Sequence, residues 1–423
     1  MKKHFIQSTI FLLIGGVITK LIGMIIKIYM SRIIGLEGLS LYMLVLPTFS
    51  LFMMISQAGI PLALSRMVAS KKYNNSSLYS TIVLFLFFFN ILLMFLLYFF
   101  SPYLSFSLLH NKDTYLSILS IIFVIPFTTL SSFLRSYFIG KEKMIPPVLS
   151  GIVENIIRLL FLLLIVPRLS YSTPLLVSII ILFNIISELS SSIFLYWFLP
   201  KESLSFSFQK KYLYDLFPLA IPNISSNLIG NITYFFEPIL LMKILLYLGF
   251  SQSYISQEYG IITGYVFPLL SLPSFFITSI MQALLPTLTS YYENNNVYKF
   301  KKITFLLFLF IFCFSIALFI LFLLFGKFFL YYLYHTSYGY SYLILLAFFG
   351  FFYYVQPIFS FLYLSINQTK KILMSTIFSS IVRILSLIIF LFLGFGIKAF
   401  LLSFLCNVVL TFFYQIYLFL HSF

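Results

Sequence analysis

The sequence predicts an all-α integral membrane protein: about twelve transmembrane helices in two pseudo-symmetric six-helix lobes around a central cavity. Three observations predict it. Hydrophobic residues make up 61% of the 423 positions and charged ones 9%, with mean hydropathy +1.08, whereas about a quarter of a soluble chain is charged. Apolar runs near twenty residues recur from end to end, each long enough to cross roughly 30 Å of hydrocarbon. The two halves repeat one another at a spacing of 225 residues, as from Gln57 to Gln282. Lipid-facing peptide groups must be satisfied within their own segment, and runs of this length suit helices rather than barrel strands.

The first segment, 5–31, follows Met1-Lys2-Lys3-His4 and has the look of a signal peptide. It continues past Lys20 without a small-x-small cleavage site and reads as a retained helix. The second, 39–68, contains Pro47 and Pro61; the third and fourth, 77–101 and 115–139, flank a loop with Lys112 and Asp113. The fifth, 146–167, carries Glu154 and Arg158, and the sixth, 173–198, carries Glu188. The longest connector follows and divides the chain into a lobe at 1–199, a cytoplasmic linker at 200–213 and a lobe at 214–423. In the seventh segment, 214–247, Glu237 precedes Pro238, a potential helix break, with a simple kink the favoured reading. A loop insertion is expected near 251–259, before the eighth segment, 261–290. The remaining segments are 303–325, 340–366, 371–393 and 395–420, with Arg383 in the eleventh. Pro47, Pro61, Pro222, Pro268, Pro273, Pro286 and Pro357 imply bent helices able to rock.

The duplication rests on particular matches. Gln57-Ala58 and Pro61 fall on Gln282-Ala283 and Pro286, and Ser150, Ile152 and Arg158 fall on Ser375, Ile377 and Arg383. Six helices per copy make both copies enter from the same side, with a symmetry axis along the membrane normal and a cavity between them. Fifteen cations lie at the amino terminus and after even-numbered segments, against six on the other side. The positive-inside rule then places both termini in the cytoplasm.

A net charge of +16 invites a nucleic-acid reading, but the cations are spread over short loops and no such partner is expected. Cys313 and Cys406 lie in apolar stretches and the four histidines are scattered, so neither a disulfide framework nor a metal site is expected. No segment outside the membrane is long enough for a catalytic domain, and no phosphate-gripping Gly-rich loop occurs. The expectation is a protein that is not an enzyme, has no cofactor and works as a monomer. The charges inside the segments carry the functional interest. Lys20 and Lys27, seven residues apart, share one helical stripe with Gly16 and Gly23. A central lysine costs about 2.5–3.5 kcal/mol in a bilayer, so this stripe points to a wet cavity or an anionic partner; Lys27 also lies near enough to a helix end to snorkel. Glu154 and Arg158 at i,i+4 read as an ion pair within one helix. Arg383 has Ser379 where Arg158 has Glu154, so it needs an anion from substrate or another helix, with Glu188 and Glu237 as candidates.

The run Thr19-Lys20-Leu21-Ile22-Gly23, then 31–42, Pro47-Thr48-Phe49 and Gln57-Ala58-Gly59-Ile60-Pro61, resembles the stage V sporulation protein B family. Gly264 through Pro268, Leu272-Pro273 and Leu285-Pro286 are similar to the same family and to the lipid II flippases, within the multidrug/oligosaccharidyl-lipid/polysaccharide exporter superfamily. The resemblance implies a flippase whose basic residues on the first helix, here Lys20 and Lys27, bind the diphosphate of a polyprenyl-linked saccharide or another amphipathic anion. Arg383 is placed in the same substrate cavity, and Glu154, Arg158, Glu188 and Glu237 are candidates for coupling or ion pairing. Lysine stands where arginine is usual, which keeps the charge and loses the bidentate fork. Those relatives usually carry fourteen helices, against twelve here. A multidrug cation exporter, proton- or sodium-coupled, would want an acid on the first helix, which has none; a glycosyltransferase would want catalytic carboxylates on large outer loops; a non-transporting scaffold would leave the deep charges without a task.

Overall fold

A computed structural model describes residues 2–70, 72–199 and 208–421. Lys71, Lys201 and most of the expected linker lie outside the described residues, as does the side chain of Pro222. The helices are α1 (Lys2–Gln57), α2 (Ile60–Ala69), α3 (Asn75–Pro102), α4 (Tyr115–Gly140), α5 (Ile145–Leu164), α6 (Thr173–Leu182), α7 (Asn184–Trp197) and α8 (Lys210–Tyr247). After them come α9 (Gln252–Gly260), α10 (Phe267–Ser271), α11 (Ser274–Glu293), α12 (Val297–Tyr334), α13 (Tyr340–Phe348), α14 (Gly350–Ser365), α15 (Thr369–Phe392) and α16 (Lys398–Leu420).

Among the described residues, nine single helices are long and apolar enough to cross a membrane. Two bent pairs, α9–α10 with α11 at 42° and α13 with α14 at 54°, bring the number to eleven when each pair is taken as one span. The first of the nine, Gly15–Ala69, has 55 residues. At 1.5 Å per residue it is roughly 80 Å long, more than twice the hydrocarbon thickness. Gly35, at φ 65° and ψ −174°, breaks it into two crossings. That conformation is costly for any residue with a Cβ, so one glycine separates the first two spans and the count becomes twelve.

Two local expectations are corrected. The second segment is not one helix: Ala58 (φ 48°) and Gly59 (φ 64°) interrupt it, and Pro61 lies in the first turn of α2, where its missing N–H costs nothing. Its repeat partner Pro286 instead lies inside continuous α11, so the duplication does not extend to this break. The expected loop at 251–259 is mostly helix α9: Ser251 caps it by accepting from the Tyr254 amide, and Ile255 and Tyr259 anchor it by burial. The chain stays helical through Pro238.

The chain packs into two compact units, 1–235 and 236–423. The boundary between these units falls inside α8, whose first half buries Leu216 and Ala220 among Ile60, Leu64, Met67 and Leu78 of α2 and α3. Tyr73, before α3, donates to Asp215 of α8 at 3.3 Å. Burial, followed by that carboxylate, raises the Tyr73 phenol above its usual range, so it remains a donor at neutral pH.

Within the first unit, α2 crosses α4 at Gly140. A Cβ there would stand 2.7 Å from the Val68 Cβ and 2.8 Å from the Ser65 carbonyl oxygen, so small size lets the backbones meet. Gly140→Ala is expected to cost about 1–3 kcal/mol through overpacking, seen as a lower thermal unfolding midpoint in detergent. An unchanged midpoint would show that the crossing separates freely.

Candidate functional site

The candidate site is built where α1 lies along α5. Gly15 of α1 meets Val148 of α5, and Thr19 meets Gly151. The Thr19 hydroxyl donates to the carbonyls of Gly15 and Gly16 at 2.9 and 3.0 Å, so its polarity is absorbed within its own helix. With this small-residue face against α5, the stripe of Gly16, Lys20, Gly23 and Lys27 is turned elsewhere. A Cβ added to Gly16 or Gly23 would meet no atom within 4 Å, and both lysines are exposed.

Lys27 lines a cavity of about 180 Å³ together with Tyr42, Asn155, Arg158 and Asn184. Three elements supply these groups: the two crossings of α1, the middle of α5 and the start of α7. Apolar walls come from Ile26, Phe161 and Ile180 among others, which lower the local dielectric and strengthen any charge interaction made inside.

Behind Arg158 lies a network of four charges. Glu154 is shared: Arg158 donates to it from Nη2 at 2.8 Å, and Arg135 of α4 pairs with its other oxygen. Arg135 also donates to Ser150 and to Ser191 at 2.8 Å, and Arg158 donates to Ser187 at 3.2 Å. Glu188 accepts from Ser131 and lies within electrostatic reach of Arg135, Arg158 and Glu154. The i,i+4 pair expected in α5 is present and is half of a larger arrangement.

Arg383, in the second unit, is 3% exposed. Its Nε donates to Glu237 at 2.6 Å, and its Nη1 donates to the Phe400 carbonyl at 3.0 Å and to Ser403 at 2.8 Å. The Phe400 and Phe404 rings cover it at 4.6 and 5.5 Å, a cation–π arrangement. The anion that the sequence requires for Arg383 is therefore Glu237 from another helix, and its guanidinium is held inside the fold through Nε and Nη1. In Arg158's repeat position the missing acid is replaced from α8, while Ser379 turns to Asn407 at 2.9 Å.

Sequence reasoning missed Arg135, Tyr42, Asn155 and Asn184. Arg135 carried a readable signal, being the sole charge in α4, and a charge inside a span is a flag in its own right. The two asparagines and the tyrosine gave none, since their convergence depends on helix rotation. Among the described residues, no group of three or more His, Cys, Asp or Glu side chains could hold a metal ion.

A family described as "Polysaccharide biosynthesis protein" matches residues 5–292. Stage V sporulation protein B of Bacillus subtilis (strain 168) is 30% identical over 311 residues, covering 70% of this chain and 60% of that protein. Lipid II flippase MurJ of the same organism is 25% identical over 329 residues, with the same two coverages. The chain thus spans about 60% of the length of these relatives. Among solved structures, the inward-facing conformation of a multidrug resistance MATE family transporter of the MOP superfamily superposes with TM-score 0.73 at 16% identity, covering 96% of this chain and 93% of that one. The MATE multidrug transporter DinF-BH gives 0.67 at 16%, covering 100% and 96%. These likenesses establish the fold: twelve membrane helices in two lobes.

Proposed function

The chain belongs to the polysaccharide biosynthesis protein family, and from that membership we propose that it is a flippase carrying an anionic lipid-linked saccharide across the cell membrane by alternating access. The observation that carries the reading is the convergence of Lys27 and Arg158 on one cavity within the first unit, continued along α1 by Lys20. Cations on lipid-facing positions would be unfavourable by several kcal/mol; cations lining a water-filled path attract an anionic headgroup and keep it solvated while its tail stays in lipid. The relatives add support, since one is described as a lipid II flippase and another as a sporulation protein. In this reading both termini are cytoplasmic, the monomer is the working unit, and transport involves no covalent chemistry.

The test is reconstitution in vesicles with labelled polyprenyl-diphosphate sugars on one face, with and without an imposed potential. Movement of the label faster than in protein-free vesicles is the expected result. Uptake of organic cations with no movement of the lipid-linked sugars would replace this reading by multidrug export, the activity named for the structural neighbours.

A further inference from the structure

We infer that the cleft between the start of α12 and the end of α16 binds an anionic membrane phospholipid, its phosphate at Lys301 and one acyl chain against the aromatic wall below. The site belongs wholly to the second unit and stands independently of the transport reading.

α12 runs for 38 residues, from Val297 to Tyr334. At 1.5 Å per residue it is about 57 Å long, nearly twice the hydrocarbon thickness. Its apolar turns lie between Lys302 and Lys327, so Lys299, Lys301 and Lys302 mark the end that emerges among the headgroups. The end of α16 lies at the same level. Lys371, at the start of α15, donates to the Leu418 carbonyl at 2.8 Å, and Phe419 and Leu420 share the cleft with Lys301.

Volume and lining decide what fills the cleft. It holds about 420 Å³, roughly fourteen water-sized units at about 30 Å³ each, room for much of an acyl chain and far more than a bare phosphate needs. Phe305, Phe308, Phe419 and Leu420 line it, and Phe359 of α14 stands behind, its ring 5.4 Å from that of Phe308 and 6.3 Å from that of Phe419. The one hydroxyl in the lining, on Thr304, donates to the Phe300 carbonyl at 2.9 Å. A saccharide would therefore leave its own polar groups unsatisfied there. Phe305 and Leu420 are 67% and 68% exposed, so the cleft opens where acyl chains run.

The charge points the same way. Lys301 makes no ion pair among the described residues. Around it, residues 293–302, 366–372 and 418–421 supply Lys299, Lys302, Lys370 and Lys371 against one acid, Glu293. A surplus of this kind at the membrane surface attracts an anionic headgroup. Phe308 lies seven residues along α12 from Lys301, on the same stripe and about 10 Å deeper. A molecule with its anion at headgroup level and its hydrocarbon below satisfies both ends. Free phosphate leaves the apolar wall bare, and a neutral lipid leaves Lys301 without a counter-ion.

The experiment adds dioleoyl phosphatidylglycerol, dioleoyl phosphatidylcholine or inorganic phosphate to the purified full chain in neutral detergent. Bound lipid is read by native mass spectrometry, and the unfolding midpoint is followed alongside. Phosphatidylglycerol is expected to raise the midpoint and to bind about fivefold more tightly than phosphatidylcholine, the factor for one basic residue at about 1 kcal/mol. Lys301→Gln, at an exposed position without an ion pair among the described residues, should fold and lose that preference. Lys398→Gln, at the opposite end of α16, should keep it. Phe305→Ala should weaken both lipids alike. Equal affinity for the two lipids in wild type, an undiminished preference in Lys301→Gln, unchanged binding in Phe305→Ala, or inorganic phosphate binding as tightly as phosphatidylglycerol would each overturn the site. Self-association of the lipid-free chain that Phe305→Ala abolishes would overturn it too, assigning the cleft to a second copy.

Discussion

Glu237→Gln is expected to destabilise the second unit by about 3–5 kcal/mol, the effect of leaving a buried charge uncompensated. The Arg383 and Glu237 side chains are 4% and 10% exposed, and their contact at 2.6 Å is Arg383's one ion pair among the described residues. Glutamine keeps the shape and an acceptor oxygen but removes the charge, so the guanidinium loses its counter-ion in a place water does not reach. For a unit of this size the unfolding midpoint in detergent should fall by on the order of 10 °C. The double variant Glu237→Leu with Arg383→Met should recover most of the loss, because a buried pair contributes little beyond what well-packed apolar residues of similar volume supply. A midpoint within about 1 °C of wild type for Glu237→Gln alone would show that Arg383 is stabilised from elsewhere, and would reopen it as a group held for cargo.

Lys27→Gln is expected to slow transport of the lipid-linked anion by about 10- to 100-fold at subsaturating cargo, with little change in stability. The magnitude follows from one hydrogen bond to a charged group, about 1.5–3 kcal/mol, in a cavity whose apolar walls limit screening. The stability follows from Lys27 having no ion pair among the described residues to orphan. Lys27→Arg should retain most activity, since it keeps the charge and adds the fork. Lys20→Gln should slow transport as well, because Lys20 is exposed on the same stripe. Initial rates in vesicles with matched protein content measure all three. Undiminished transport by a Lys20→Gln/Lys27→Gln protein would remove the basic stripe from the mechanism.

Much of the fold was readable because lipid imposes one requirement on every segment, that its backbone be satisfied internally. The apolar runs at 77–101, 115–139 and 371–393 became α3, α4 and α15 within a few residues. Breaks were harder to read. Gly59 and Phe349 interrupt runs whose hydropathy does not change, and α9 formed where a polar stretch looked like a loop. Phe349 itself carries no residue-type signal for the bend of 54° between α13 and α14; the one local signal is Gly350, which follows it. The site divided along the same line. Glu154 and Arg158 were visible as a pair because i,i+4 spacing is a property of one helix, whereas Arg135 reaches Glu154 across 19 positions and Arg383 reaches Glu237 across 146.

The sequence alone determined that this is an all-α membrane protein of twelve crossings with a basic, glycine-bearing stripe on its first helix, since hydropathy and a seven-residue spacing are local and the bilayer leaves one backbone solution. Only the tertiary structure decided what each charge does. It closed Arg383 with Glu237, gave Glu154 to two arginines, and set Arg158 beside Lys27 in one cavity. The physical reason is that a charge in a membrane must find its partner across helices, and the partner depends on the rotation and depth of each helix, which no single segment records.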